Sequence, residues 1–207
     1  CLQHWRDVID HIVIHHDPAT GLLLQFEGFF DLKRIDPAVI AQTERSMQVV
    51  LGIEGANASQ VIKQADVIML LCLLRDQYDA RTWQTNWDTY MPITDHRYGS
   101  SLGPSFHAWA ACEIDRADDG YEHFMLAARA DLHDVRGNAD DGIHGASAGG
   151  LWQAVVFGFA GLRLTDDGIT VQPRLPSHWR HLSFRIRYRG GLVRVDIAQG
   201  GAVQITG

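Results

Sequence analysis

Apolar positions recur at helical spacing through most of the 207-residue chain and at strand spacing in its tail, with the change of period at Gly161. In residues 2–12, Trp5, Val8, Ile9 and Ile12 stand at i, i+3, i+4 and i+7, which predicts an amphipathic helix. His15-His16-Asp17-Pro18 with Thr20-Gly21 predicts a turn, and residues 22–30, apolar without clean alternation, a buried loop or short extended piece. Helices are expected over residues 37–50, 61–74, 106–114, 121–130 and 151–159, with residues 52–59 and 131–138 as connections. Residues 79–91, which carry Trp83, Trp87 and Tyr90, read as a further helix opened by Thr82 or Thr85. The 61–74 segment is nearly all apolar apart from Lys63, Gln64 and Asp66 in its first turn, the pattern of a helix buried all round. Beyond Gly161, residues 162–164, 169–171, 184–188, 192–197 and 202–205 alternate apolar with polar between Asp-Gly and Gly-Gly turns, which predicts a small antiparallel sheet. The arginines of this tail alternate outward and read as a solvated face, so the tail is assigned a packing role.

The candidate chemistry gathers in two loops that each run into an apolar helix. Residues 140–150 hold four glycines, two aspartates, His144 and Ser147. Glycines let the backbone approach a bound group, and the N–H groups and dipole at the start of the next helix favour an anion there. A helix-packing turn is the alternative. The second loop, residues 94–105, carries His96, Arg97, Ser100 and Ser101, whose donors and positive potential suit an oxyanion. Lys63 and Gln64 offer donors and a carbonyl suited to a hydroxyl-rich ligand, or else belong to a helix cap with a Lys63–Asp66 ion pair. Glu27 and Asp31 bracket an aromatic cluster where a carboxylate with a raised pKa could hold sugar hydroxyls or act as an acid, though such acids more often cap or pair locally.

Composition narrows the classes. A chain 46% hydrophobic and 21% charged is an ordinary globular one, and a formal charge of −7 with no basic block argues against nucleic acid as partner. No apolar run reaches the ~18 residues that a membrane span needs. Three cysteines, Cys1, Cys72 and Cys112, fit neither a disulfide framework nor a zinc site, and the latter two are expected in the core of a cytoplasmic protein. The chain opens on Cys1 with no initiator Met, which suggests a C-terminal piece of a longer protein.

Several stretches together resemble the C-terminal portion of glycoside hydrolase family 65, the group of maltose, trehalose and kojibiose phosphorylases and related hydrolases. They are residues 21–30 (GLLLQFEGFF), 63–74 (KQADVIMLLCLL), 100–108 (SSLGPSFHA), 141–153 (DGIHGASAGGLWQ), 157–162 (FGFAGL), 173–176 (PRLP) and 187–190 (RYRG). The resemblance implies a mainly α fold, the C-terminal part of an (α/α)6 barrel over residues 1–161, followed by a small antiparallel β domain over 162–207. It implies inverting chemistry on α-linked glucosides. Lys63 and Gln64 would hold the glucose, and Ser100, Ser101 and His144 would line the phosphate site. The general acid is expected upstream of Cys1, and no catalytic residue is identified in the chain. Inorganic phosphate would be the co-substrate, with no cofactor or metal, and the family suggests a homodimer. One departure bears on the reaction: His96-Arg97-Tyr98-Gly99-Ser100-Ser101 stands where phosphorylases tend to have a shorter HDSSLS-like run. That keeps open an α-glucoside hydrolase of kojibiose or trehalose type, alongside a noncatalytic sugar-binding remnant and a purely structural scaffold.

Overall fold

The structure, a computed structural model, describes residues 2–207; Cys1 lies outside them. Eight α-helices lead to five short strands: α1 Leu2–His11, α2 Pro37–Gln42, α3 Met47–Asn57, α4 Asp66–Leu73, α5 Ala80–Tyr90, α6 Gly103–Glu113, α7 Ala117–Leu132, α8 Gly145–Gln153, then β1 Leu162–Leu164, β2 Ile169–Val171, β3 His181–Tyr188, β4 Gly191–Ala198 and β5 Val203–Thr206. The expected fold class, mainly helical with a small antiparallel β part at the C-terminal end, is what is found. The β part is two sheets rather than one: β1 pairs with β2, and β3, β4 and β5 form a meander.

Several boundaries differ from the sequence reading for local reasons. The helix expected over 37–50 is two helices, because Asp36 and Ser46 each cap a new start by accepting from Ala38 N–H and Val49 N–H. The supposed connection at 52–59 is largely helical, kinked where Gly52 takes φ 73°. The apolar helix expected from residue 61 begins only at Asp66, since Ile62 is tied to the 91–95 segment: its N–H donates to Ile93 and its carbonyl accepts from Asp95. Lys63 and Gln64 thus precede the helix, and no Lys63–Asp66 pair forms; Lys63 Nζ donates to Gln48 and Asp66 accepts from Gln25. Asp79, two or more residues ahead of the threonines considered, caps α5. Helix α1 forms as expected, but its stripe of Trp5, Val8, Ile9 and Ile12 lies exposed.

The main core is built on α4, α5 and α6. Leu71, Ala108, Ala111 and Trp87 are all but inaccessible, and α6 buries nearly every residue from Gly103 to Cys112. Both described cysteines are free and buried there. The last helix continues past Gln153 as a π-helical turn, Ala154–Phe159, which packs on α6. At Gly161 the backbone turns with φ 61°, and a Cβ would stand 2.0 Å from the Gln172 carbonyl oxygen, so only glycine allows the helices to pass into β1.

One ionic cluster joins the helices to the strands. Glu113, at the end of α6, accepts from Arg163 of β1 at 2.8 and 3.1 Å and from Trp109 Nε1, while Arg75 lies over the Trp109 and Phe157 rings. Arg163 is therefore a half-buried tether rather than part of a solvated face. Burial, with Arg163 nearby, lowers the Arg75 guanidinium to about 10.

A second cluster is unusual. The rings of His96, His107 and His123 lie 4.5 to 5.3 Å apart, with Trp87 5.7 Å from the last two. His96 Nε2 donates to the Met91 carbonyl and His107 Nδ1 to the Gly103 carbonyl, so their remaining nitrogens carry lone pairs toward the interior. Burial disfavours the charged rings: all three are lowered, His123 to about 3.

Two outcomes follow. Because each depressed histidine is neutral when folded yet protonates near pH 6.5 when unfolded, its contribution is intact above that pH and lost as pH falls. For His123, lowered to about 3, stability should decline by roughly 1.4 kcal/mol per pH unit between about pH 6 and 4, with His107 and His96 adding to the fall in the same direction. Melting curves across that range should show this slope, made shallower by His123→Leu. Glu113→Ala removes the carboxylate between Arg75 and Arg163, leaving Arg163 only the exposed Asp76 at 3.7 Å, and should cost about 3 kcal/mol in denaturant unfolding.

Candidate functional site

The serine loop is clamped by three consecutive backbone groups. The Gly99 carbonyl accepts from Arg136, the Ser100 N–H donates to the Lys63 carbonyl at 2.9 Å, and the Ser101 carbonyl accepts from Ser147 Oγ at 2.8 Å. Glycine is required at the first of these: a Cβ on Gly99 would stand 2.3 Å from the Asp95 carbonyl oxygen and 3.0 Å from that of Lys63. Asp95, only 4% exposed, holds the turn from below, its carboxylate accepting from Tyr98 N–H and from Met47 N–H at the start of α3.

Helix α8 is seated on this loop by another close approach. A Cβ on Gly150 would come within 2.8 Å of Ser105 and 2.9 Å of Leu102, and Ser105 Oγ donates to the Ser147 carbonyl. His144 is the N-cap residue of α8, one turn before Ser147, so the two glycine- and serine-rich loops meet as the sequence suggested. Three helices that start here, α4 after Ala65, α6 after Leu102 and α8 after His144, have no side-chain cap, whereas α2, α3 and α5 are capped by Asp36, Ser46 and Asp79. First-turn N–H groups left uncapped are donors available to an anion or a hydroxyl.

Of the expected site residues, Lys63, Gln64, Ser100 and Ser101 adjoin one another but line different cavities, and His144 reaches them only through α8. Gln64 and Ser100 share a narrow cleft of about 20 Å³ with Asp66, Gly103 and Phe106. Lys63 faces the other way, lining a cavity of about 110 Å³ with Gln48, Met47 and Asp95. Ser101 borders a cavity of about 530 Å³ with Arg97, Tyr98, Arg129 and Arg136. His144 donates from its backbone N–H to Asp131 Oδ2 at 2.8 Å, and its ring Nδ1 lies 2.5 Å from Asp131 Oδ1. These bonds, the ring's first and the backbone's second, hold the Asp131 carboxyl below the usual carboxylate range. Glu27 is exposed, which removes the basis for treating it as an acid in an apolar pocket.

Asp131 and Arg136 are the residues that sequence reasoning missed. Both lie in what was read as a plain connection, and only their 13- and 37-residue reach across the fold shows their use. No cluster of His, Cys, Asp or Glu able to hold a metal occurs among the described residues.

Residues 1–153 match the family model described as glycosyl hydrolase family 65 central catalytic domain, and residues 162–205 match the family 65 C-terminal domain. The chain belongs to glycosyl hydrolase family 65. Family 65 relatives include the kojibiose phosphorylase of Thermoanaerobacter brockii, 37% identical over 202 residues, and the α,α-trehalose phosphorylase of the same organism, 34% identical over 199, each covering 96% of this chain. The maltose phosphorylase of Bacillus subtilis (strain 168) is 32% identical over 201 residues and covers 95%. The chain spans 26% of the length of these three relatives. A solved structure of a human-microbiome protein superposes with a TM-score of 0.84 at 30% identity, covering 96% of this chain and 27% of its own. No helix among the described residues is long and apolar enough to cross a membrane.

Gly99→Ala should prevent the loop from closing on Asp95 and Lys63. The expected result is a melting point several degrees lower and a serine loop that becomes susceptible to proteolysis; an unchanged cleavage pattern would show that the close approach is dispensable.

Proposed function

We propose that this chain is part of an inverting disaccharide phosphorylase, which converts an α-glucobiose and phosphate to β-glucose 1-phosphate and glucose. The observation that carries this reading is the Ser101–Ser147 hydrogen bond, which brings the serine loop and the start of α8 together where α6 and α8 begin uncapped. Phosphate would be held by Ser100, Ser101 and His144, and the glucose by Lys63 and Gln64. The known activities of the family 65 relatives support the same chemistry.

In an inverting step the glycosidic C1–O bond breaks as a carboxylic acid gives its proton to the leaving oxygen. A phosphate oxygen forms the new C1–O bond from the opposite face. The nucleophile being an anion, N–H and hydroxyl donors take the place of a second carboxylate. The cluster supplies such donors and, in Asp131, an ionised carboxylate already engaged with His144. The proton donor is assigned to residues outside it. Residues 1–161 would contribute to the helical barrel and 162–207 form the β domain; the protein would be cytoplasmic and homodimeric, with no nucleic-acid or membrane partner and no cofactor beyond phosphate.

A hydrolase is the second reading, favoured by Arg97-Tyr98-Gly99 standing between His96 and the serines. Incubating the full-length protein with kojibiose, trehalose or maltose separates the two. Phosphate-dependent release of glucose 1-phosphate is expected, and free glucose as the sole product without phosphate would reject the phosphorylase. His144→Ala should raise the KM for phosphate at least ~10-fold, and Lys63→Ala the KM for disaccharide by a similar factor, as loss of about 1.4 kcal/mol of binding each requires.

A further inference from the structure

Asp131 lies in the last turn of α7, thirteen residues from His144, and nothing in the sequence pairs them. Yet its two carboxylate oxygens divide between two groups of that one residue: Oδ2 takes the backbone N–H and Oδ1 the ring Nδ1. A two-point clamp of this kind fixes both the position of the α-carbon and the rotation of the imidazole. Because the carboxyl is held ionised it can only accept, so the ring proton resides on Nδ1. Nε2 makes no hydrogen bond to the protein among the described residues and is the nitrogen left for a ligand.

The helix adds a constraint. His144 caps the N-terminus of α8, where the dipole opposes a positive ring. Asp131 brings a negative charge to that point and offsets it. Arg136, which is attracted to Asp131 and bonded to Gly99, lies near the pair, while Asp140 and Asp141, four and three residues before His144 in the chain, are exposed.

From this geometry we infer that Asp131 is a positioning residue for the anion site: it fixes His144 in the Nδ1–H form, so that the Nε2 lone pair faces the ligand and accepts the P–O–H hydrogen of hydrogen phosphate. The inference rests on the assignment of His144 to phosphate. A carboxylate behind a ligand-binding histidine sets its tautomer and orientation, and such partners are worth roughly 10- to 100-fold when removed.

The test uses the full-length protein with Asp131→Asn, which keeps the shape but replaces one acceptor by a donor. The KM for phosphate should rise ~10-fold while that for the disaccharide stays within about twofold. The ¹⁵N spectrum of histidine-labelled protein should show His144 leaving the Nδ1–H form. An unchanged His144 tautomer in Asp131→Asn would overturn the inference. A tautomer change with no effect on phosphate KM would uphold the clamp and overturn the phosphate assignment instead. If Asp131→Asn folds poorly, Asp131→Glu keeps the charge, and a double-mutant cycle with His144→Ala decides. An Asp131 effect that persists in full without His144 shows that Asp131 does not act through the ring.

Discussion

Backbone groups of three successive residues, Gly99, Ser100 and Ser101, hold this molecule's working end together. One carbonyl is taken by an arginine from beyond α7, the next N–H by the strand-like segment ahead of α4, and the following carbonyl by a serine on α8. Each partner comes from a different region of the chain, and each contact is to backbone rather than to side chain. The arrangement leaves the two serine hydroxyls unspent on long-range contacts, and it depends on the missing Cβ at Gly99 and at Gly150. Two of the glycines that drew attention as ligand-binding positions are in fact demanded by packing. In this protein the two explanations are not rivals, because the packing is what gathers the ligand-facing groups.

The same economy runs through the charged groups. Glu113, Arg163 and Arg75 tie the end of α6 to β1, and Asp95 ties the serine turn to the start of α3. Where a carboxylate lies inside, it is satisfied by donors from more than one element. The exception is the His96, His107, His123 and Trp87 group, in which buried ring nitrogens meet without protein partners. It joins the serine turn to α5, α6 and α7 by ring contacts alone, so the loop is held from beneath by aromatic packing and from above by hydrogen bonds.

Period and punctuation made the element types legible, and the strands came close to their observed limits because alternation and Gly-Gly turns are local signals. The helix starts were less so. Asp36, Ser46 and Asp79 are ordinary caps that a closer look at residue type could have found. The delay of α4 to Asp66 could not be read, because it is imposed by bonds between Ile62 and a segment thirty residues away. For the site, the pairing of Ser101 with the start of α8 was foreseeable from two similar loops. The Asp131–His144 clamp and the Arg136 reach were not, since neither spacing nor composition marks a carboxylate at a helix end as the partner of a distant histidine.

Lys63 and Gln64, like Ser100 and Ser101, are neighbours in the chain that look into separate chambers. A substitution at one member of a pair alters the lining of one chamber first, so recognition along the cluster is written in alternate letters of the same short text. Evolution or an engineer can therefore revise one chamber's chemistry while the other keeps its own.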